Sequence, residues 1–598
     1  MPRNIRDDQL PFEIDAFGID LVYSIRCMVR LVQTRQEAVA RREDTKMLKL
    51  TGAARLGAAR IFLFAFAAAL SPWFAARAQQ HESIPARSKG EGPFDRLILR
   101  GGYLIDGTGA PAQGPVDIIV ENDRIVDVQV VGAPRLAIKE ENRPPTDGAR
   151  ELDVSGMYIM PGFVDTHVHL HSMNAGQKVP SEYVLKLWLS HGVTSAREVG
   201  NTNEGQEWLV DVAQKLARNE IAGPRLEVYP FFRRQSRSPI TSERAARERI
   251  RKIKRLGGSG VKFSGSRGAS MPVEYYWVAL DEANKIGLNS TWHHAQINVM
   301  EANVLTSSAH GLQSMEHWYG LPEAMFENKR IQDYPNDYVY ENEQDRFGEA
   351  GRLWRQAAKP GSEKWNEVME TLLERNFALS PTFTAYLTSR DFMRMSRAVW
   401  HDEYTMPNLW DWYRPNRDAH GSYWFYWTIE DELDWKDNYR LWMAFVNEYK
   451  NRGGLVGVGS DSGFIYNLYG FGYVQEMELM REAGFSPLEV IHAATLAGAR
   501  ILGIDDEVGS VQVGKKADFV VVNQNPLENL HVLLGTGTIK LNDDTGAVER
   551  VGGVLYTIKD GIVYDTRELR KDVREMVKAE KDRRGIPPGP MPIVTVSE

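Results

Sequence analysis

The stretch Pro161-Gly-Phe-Val-Asp-Thr-His167-Val-His169 decides how this chain is read. A Pro-Gly turn signal opens onto an apolar run of strand-forming residues. On a strand, side chains two apart leave the same face, so His167 and His169 would project together. A His-x-His pair alone does not separate a metal site from packed or loop histidines. His171 keeps the parity but lies beyond the expected end of the strand and reads as a loop residue.

Outward from this stretch, strand candidates alternate with helical segments. Val193-Thr-Ser-Ala-Arg follows a helix over 182–191, and Gly260-Val-Lys-Phe follows Arg225-Leu-Glu-Val-Tyr and a helix over 241–256. This alternation predicts the α/β class, with βα units closing into a (β/α)8 TIM-like barrel over 156–504. Eight such units need about 250 residues. The surplus is assigned to an aromatic-rich insertion at about 320–450, where seven tryptophans fall between Trp400 and Trp442. They predict a helical subdomain with an aromatic core, a ligand-gripping lid being the alternative. Short alternating strands on the two flanks, 96–155 and 505–567, predict a small β-sandwich built from both ends. Residues 79–95 read as a polar linker and 568–598 as a charged, solvated tail.

Composition excludes several classes of function. The 598 residues are 43% hydrophobic and 25% charged, a globular balance, and the net charge of −8 argues against nucleic-acid binding driven by excess positive charge. The single cysteine, Cys27, rules out intramolecular disulfide frameworks and zinc ribbons, so any metal must be held by nitrogen and oxygen. One strongly apolar run, Ile61 to Leu70, is too short to span a bilayer. Lys49, Arg55 and Arg60 precede it and Ala76-Arg77-Ala78 follows, which predicts a cleavable signal peptide over 47–78 and a secreted or periplasmic protein. Met47 is then the expected start of translation, and 1–46 a non-native upstream extension or a disordered segment. The mature chain would lack cysteine and a stable membrane anchor. Its expected partner is a small-molecule substrate, and a homo-oligomer is compatible with this reading.

Further candidates follow at telling distances. Lys262 lies 95 residues after His167, about three βα units; His294 lies 32 residues further, and His317 another 23. Asp461, closing Gly454-Leu-Val-Gly-Val-Gly-Ser-Asp, comes 144 residues later, beyond the insertion. These residues would stand at strand C-termini, where barrel enzymes place their chemistry.

The set resembles the amidohydrolase superfamily, with His-x-His on the first strand, Lys on the fourth, His on the fifth and sixth, and Asp on the eighth. Gly102-Tyr-Leu-Ile-Asp-Gly-Thr-Gly, His191-Gly-Val-Thr-Ser-Ala-Arg-Glu and Gly509-Ser-Val-Gln-Val-Gly-Lys-Lys-Ala-Asp-Phe-Val also resemble it, and prolidase-like and imidazolonepropionase-like members are the most similar. The resemblance implies two divalent metal ions, zinc by donor type with manganese or cobalt as substitutes. His167, His169 and Asp461 would hold one ion and His294 and His317 the other. Lys262, carbamylated by CO2, would bridge them, and Asp461 would be the general base and acid. In His293-His294-Ala295-Gln296, His294 is taken as the ligand because it precedes a small residue; a one-residue register error would exchange it with His293. Gln296, Tyr229 and Tyr319 are candidates for substrate contact, and Glu198 for salt-bridged support. The implied reaction is hydrolysis of an amide, in a dipeptide or N-acyl amino acid. Alternatives are a cyclic-amide, lactone or organophosphate hydrolase on the same metals, or a non-catalytic binding protein using the tryptophan-rich block.

Overall fold

The computed structural model describes residues 81–200, 204–232, 239–264, 271–417 and 422–593. The expected signal peptide, the segment upstream of it and Cys27 lie outside the described residues. The chain is mixed α/β. Strands Phe163–Val168, Val193–Glu198 and Arg225–Val228 pair in parallel in that order. A second parallel sheet carries Phe231–Phe232, Gly260–Ser264, Asn289–His293, Ser314–Glu316, Ala378–Ser380 and Leu455–Val456, again in chain order.

Backbone hydrogen bonds join the two sheets at both ends. Ser259 N donates to Val228 O (2.9 Å) and Lys262 N to Pro230 O (3.1 Å) at one seam. At the other, Thr166 N donates to Val458 O (2.8 Å) and Asp461 N to His167 O (2.9 Å). The second seam sets the first and last strands side by side, which brings His167 to Asp461.

The connecting helices follow from local chemistry. Ser242 caps Glu243–Leu256 by accepting from Ala245 N, and Gly257 ends it at φ 92°, a left-handed turn that suits a residue without Cβ. Ala246, Ile250 and Ile253 form its buried stripe under an otherwise charged helix.

The two flanks build one sheet, with the strand from residues 158–161 at the centre. It has eight strands and draws on residues 97–161 and 519–565, rather than two separate sheets. The reason lies in Leu97–Leu104, whose pairing with Gln113–Glu121 shifts register on both sides of Gly102. Its first half pairs with Arg150–Asp153 and its last two residues with Tyr158–Pro161. One bulged strand thereby serves two neighbours and bends the sheet over its own core of Leu97, Leu99, Ile118, Ile159, Phe519 and Val521.

Three sequence expectations change here. Ala378–Ser380 runs through the middle of the expected insertion, so the surplus divides between the connections before and after it. Three residues are too few for an alternating pattern to show. The expected tail is largely the helix Thr566–Arg583, with Leu569, Val573 and Val577 buried and Asp572 2.8 Å from Lys186. Its apolar residues, spaced by four, sit in a sequence whose charges mask them. The expected linker is tied down too, since Arg87 N donates to Glu220 O and Glu91 pairs with Val563.

Candidate metal centre

Strand Phe163–Val168 is buried along its whole length and delivers His167 from within and His169 just past its end. His167 Nε2, His169 Nε2 and Asp461 Oδ1 converge, separated pairwise by 3.3, 3.3 and 3.4 Å. Two donor atoms each about 2.05 Å from a tetrahedral ion stand about 3.3 Å apart, so this triangle is the size that one divalent ion requires. Asp461 Oδ1 is buried without a hydrogen-bond donor among the described residues, consistent with an electrophile as its partner. Asp461 Oδ2 faces the other way, 3.9 Å from His317 Nε2.

Protonation states suit metal binding. Burial lowers the His167 and His317 imidazoles, so both are neutral near neutral pH, the form able to ligate a metal. Burial would raise the Asp461 carboxyl, but His167, His169 and His317 hold it well below the ordinary range. The His317 tautomer follows from its neighbours. Thr382 Oγ1 donates to Pro381 O (2.6 Å), so it accepts from His317 Nδ1–H at 2.6 Å and leaves Nε2 as the ligating nitrogen.

Two of these residues sit in strained backbone. His317 has φ 61° and Asp461 φ 43°, left-handed values that cost a non-glycine residue about 1–3 kcal/mol. At His317 the turn lets two successive side chains, Glu316 and His317, both face inward where strand alternation would part them. Glu316, not singled out in the sequence, shares the face of Lys262 through the register Lys262–Thr291–Ser314, and the left-handed turn is what brings His317 in beside it. It is fully buried, touches Lys262 Nζ, and stands 3.4 Å from His167 Nδ1 and 3.7 Å from Arg197.

Lys262 is buried, and desolvation together with the Arg197 charge pushes its ammonium well below the usual lysine range. A neutral amine is the form that adds CO2, so the residue fits the carbamate that the resemblance implies. Its strand also shows which fifth-strand histidine shares its face. Lys262 pairs in register with Thr291 and Ser264 with His293, so Lys262, Thr291 and His293 share one face. The His293 ring lies 4.4 Å from that of His317, with the planes at 66°. His294 belongs to the opposite face, stacked on Trp292 at 4.9 Å and 9°. Ser307 Oγ donates to Asn303 O and therefore accepts from His294 Nε2–H at 3.0 Å. The structure thus groups His293, rather than His294, with the other metal-ligand candidates. The ambiguity in the sequence was one residue of register, and the strand ends at His293.

Around this group, Asp165 Oδ1 accepts from His167 N (3.1 Å) and Ser460 N (2.9 Å) and clamps the first strand to the segment bearing Asp461. Glu198 accepts from Leu170 N just past the end of the first strand, so it braces backbone; Arg197 is the residue that approaches Glu316. Tyr229 does not reach the site. It packs against Gly260, at the start of its strand, with Arg197 5.4 Å from its ring. Tyr319 lies 6.5 Å from His293 ring to ring, and Gln296 follows His293 by three residues. Tyr338 OH donates to Gln296 Oε1 (3.1 Å), which leaves Gln296 Nε2 as a donor with no partner among the described residues; the Tyr319 hydroxyl is in the same position.

The tryptophan-rich block is mostly core. Trp410, Trp435 and Trp442 are fully buried, and Trp318, next to His317, lies 5.3 Å from Trp435 and 5.0 Å from Trp442. Tyr386, edge-on to His317 at 5.6 Å, stacks on Trp435 at 5.7 Å, so this packing reaches the histidine cluster.

Behind the site, Glu476 accepts from Phe383 N (3.0 Å) and Thr384 N (2.7 Å), fixing the turn that carries Thr382. Burial pushes its carboxyl from about 4.5 up to about 8 despite those hydrogen bonds. The folded chain then holds a proton that the unfolded chain releases, so this stability is full below about pH 4.5 and lost as pH rises through about 8. In the metal-free chain, Glu476→Gln should shrink the difference in Tm between about pH 5 and about pH 9 by several degrees, checked by calorimetry. An unchanged difference would refute it.

A model of the amidohydrolase family matches residues 158–563. Adenine deaminase 2 of Rhizobium etli is 31% identical over 137 residues, 22% of this chain and 20% of that protein. 5'-Deoxyadenosine deaminase of Methanobrevibacter smithii is 31% identical over 143 residues, 21% of this chain and 32% of that protein. The chain thus spans about a fifth to a third of the curated relatives it matches. A solved Xaa-Pro dipeptidase with methionine bound has a TM-score of 0.52 at 16% identity, over 79% of this chain and all of that one. Bottromycin amidohydrolase has a TM-score of 0.54 at 17% identity, over 81% and 91%. At these identities the likeness concerns the fold, which in such neighbours is a TIM-like barrel. With the family model covering most of the chain and the clustered histidines, lysine and aspartate inside the matched span, the chain belongs to the amidohydrolase family.

Proposed function

We propose that this protein is an exported, binuclear metal-dependent amidohydrolase on a (β/α)8 barrel flanked by a β-sandwich-like sheet, cleaving the amide bond of a dipeptide or N-acyl amino acid. The observation that carries the reading is the triangle of His167, His169 and Asp461 donor atoms with sides of 3.3–3.4 Å. His167, His169 and Asp461 would hold one ion, His293 and His317 the other, and a carbamate on Lys262 would bridge them. Nitrogen and oxygen donors suit zinc. Two bound ions acidify water and polarise the scissile carbonyl. Asp461 takes the proton of the attacking water and returns it to the leaving nitrogen, which departs as the amine. Gln296 Nε2 and the Tyr319 hydroxyl, both without protein partners among the described residues, orient a polar group of the substrate. The signal-like run at 61–78 supports export. Among the described residues, no helix is long and apolar enough to cross a membrane.

The test is metal analysis of the purified chain with a screen of dipeptides and N-acyl amino acids after zinc reconstitution. About two ions per chain and amide turnover are expected. A metal-free chain that binds ligands without turning them over would support the non-catalytic alternative. Because the curated relatives are named as adenine deaminases, adenine belongs in the screen, and ammonia release from adenine alone would displace the amide reading.

The fifth-strand ligand has its own test. His293→Ala should lose about one ion per chain and at least a hundredfold in kcat/KM. His294→Ala should keep both ions, since its ring is occupied by Ser307 and Trp292. Metal analysis of the two variants decides between them, and the reverse pattern would restore His294 as the ligand.

A further inference from the structure

The segment before the first strand acts as a strap across the molecule. At its lower end, Arg87 donates to Asn219 O (3.1 Å) and Gly90 O (3.1 Å), and Glu91 pairs with Val563. At its upper end, the Glu82 carboxylate accepts from Ser181 N (2.9 Å), Ser181 Oγ (2.9 Å) and Met173 N (3.1 Å). Met173 and Ser181 belong to the connection that leaves the first strand, which begins with His169 and runs through His171. Trp208 Nε1 holds the strap from below by donating to Glu82 O (2.9 Å), and Ile84 is half-buried against the main core.

The helix Ser181–Ser190 needs this contact. Its N-cap position is Pro180, which supplies no side-chain cap, so Glu82 satisfies an orphan N–H from 99 residues away in sequence. The same carboxylate bridges Met173 N to Ser181 N and so ties the two ends of one loop together. Ser181 Oγ also reaches His171 O (3.1 Å), and His171 Nδ1 meets Tyr469 OH (2.6 Å). Glu204 reinforces the arrangement, accepting from Ser172 Oγ (2.7 Å) and Asn174 Nδ2 (2.6 Å) and meeting His81 Nδ1 at 3.2 Å.

We infer that Glu82 is a positioning residue of the metal centre, a clip that holds the loop 169–181 so that His169 stands in register with His167 and Asp461. The inference rests on the proposed metal site. His169 lies past the end of its strand and lacks the sheet hydrogen bonds that fix His167, so its place depends on the loop that follows. A residue that orients a ligand is typically worth about tenfold or more in metal affinity.

Two measurements on the full chain test this. In the metal-free protein, Glu82→Ala should speed amide hydrogen exchange across 169–181 while leaving the sheet at 97–121 unchanged. In competition with a chromogenic chelator, it should weaken Zn2+ binding about tenfold. Glu82→Gln, whose amide keeps an acceptor for one side of the clip and turns an NH2 to the other, should recover part of that loss. Arg87→Ala, at the lower end of the strap, should bind Zn2+ within about twofold of the parent. The inference is overturned if Glu82→Ala leaves both exchange and zinc affinity as in the parent, or if Arg87→Ala loses as much as Glu82→Ala. If Glu82→Ala does not fold, Ser181→Ala, which deletes one of the three donors, takes its place, and parent-like exchange in 169–181 would then count against the clip. A parent chain that binds no zinc would defeat the proposed metal site itself, while exchange would still report whether Glu82 holds the loop.

Discussion

Asp461→Asn should lower kcat by about a thousandfold or more, within the range expected when a positioned acid-base group is removed. The substitution preserves size and leaves one oxygen for the cluster, but the amide can neither accept the proton of the attacking water nor return it to the leaving nitrogen. Three imidazoles that hold the Asp461 carboxyl well below its usual range would face a neutral group instead. Weaker zinc binding is therefore expected along with the loss in turnover. Assay at saturating zinc separates the two, since restoring occupancy should leave most of the kcat deficit. Recovery of turnover at full occupancy would show that Asp461 is a ligand only.

The second large effect concerns Lys262. Lys262→Ala and Lys262→Met should each drop the metal content from about two ions towards one or none, and reduce kcat/KM by at least a thousandfold. The methionine variant separates this from misfolding. Lys262→Met takes away the cation that touches the buried Glu316 carboxylate and leaves Arg197 as its partner, so the metal-free variant should unfold cooperatively at a Tm below that of the metal-free parent. The Glu316 carboxylate, which touches Lys262 Nζ, keeps Arg197 nearby at 3.7 Å. Full metal content and activity in Lys262→Met would remove the bridging carbamate from the mechanism.

The residues that bear on these experiments were unevenly legible. His167, His169, Lys262, His317 and Asp461 could be found because each lies at the end of an apolar run, at intervals of about one βα unit or a multiple of it. The choice between His293 and His294 was open in the sequence, which does not show where a five-residue strand ends; the structure puts His293 on the face of Lys262. Glu316 was passed over because a lone carboxylate beside a histidine carries no signal until strand register sets it against Lys262. For Tyr229 the sequence left substrate contact and packing both open, because a tyrosine ending a strand can face either end of it; here it packs near the start of the next. Tyr338 and Glu82 carry no local pattern at all. Each matters through a partner far along the chain, Gln296 for one and Ser181 for the other.

What the sequence determined alone is the α/β alternation, which follows from periodicity, and the resemblance to the amidohydrolase family, which follows from its motifs and brings nitrogen and oxygen side chains forward as donor candidates. The tertiary structure decided which histidine of an adjacent pair faces inward, that both flanks share one bent sheet, and that a supposed linker and a supposed tail pack on the body of the protein. Those outcomes depend on strand register and on hydrogen bonds between distant segments, such as Asp461 N to His167 O. A contact of that kind exists only after the chain has closed on itself, and no local pattern records it.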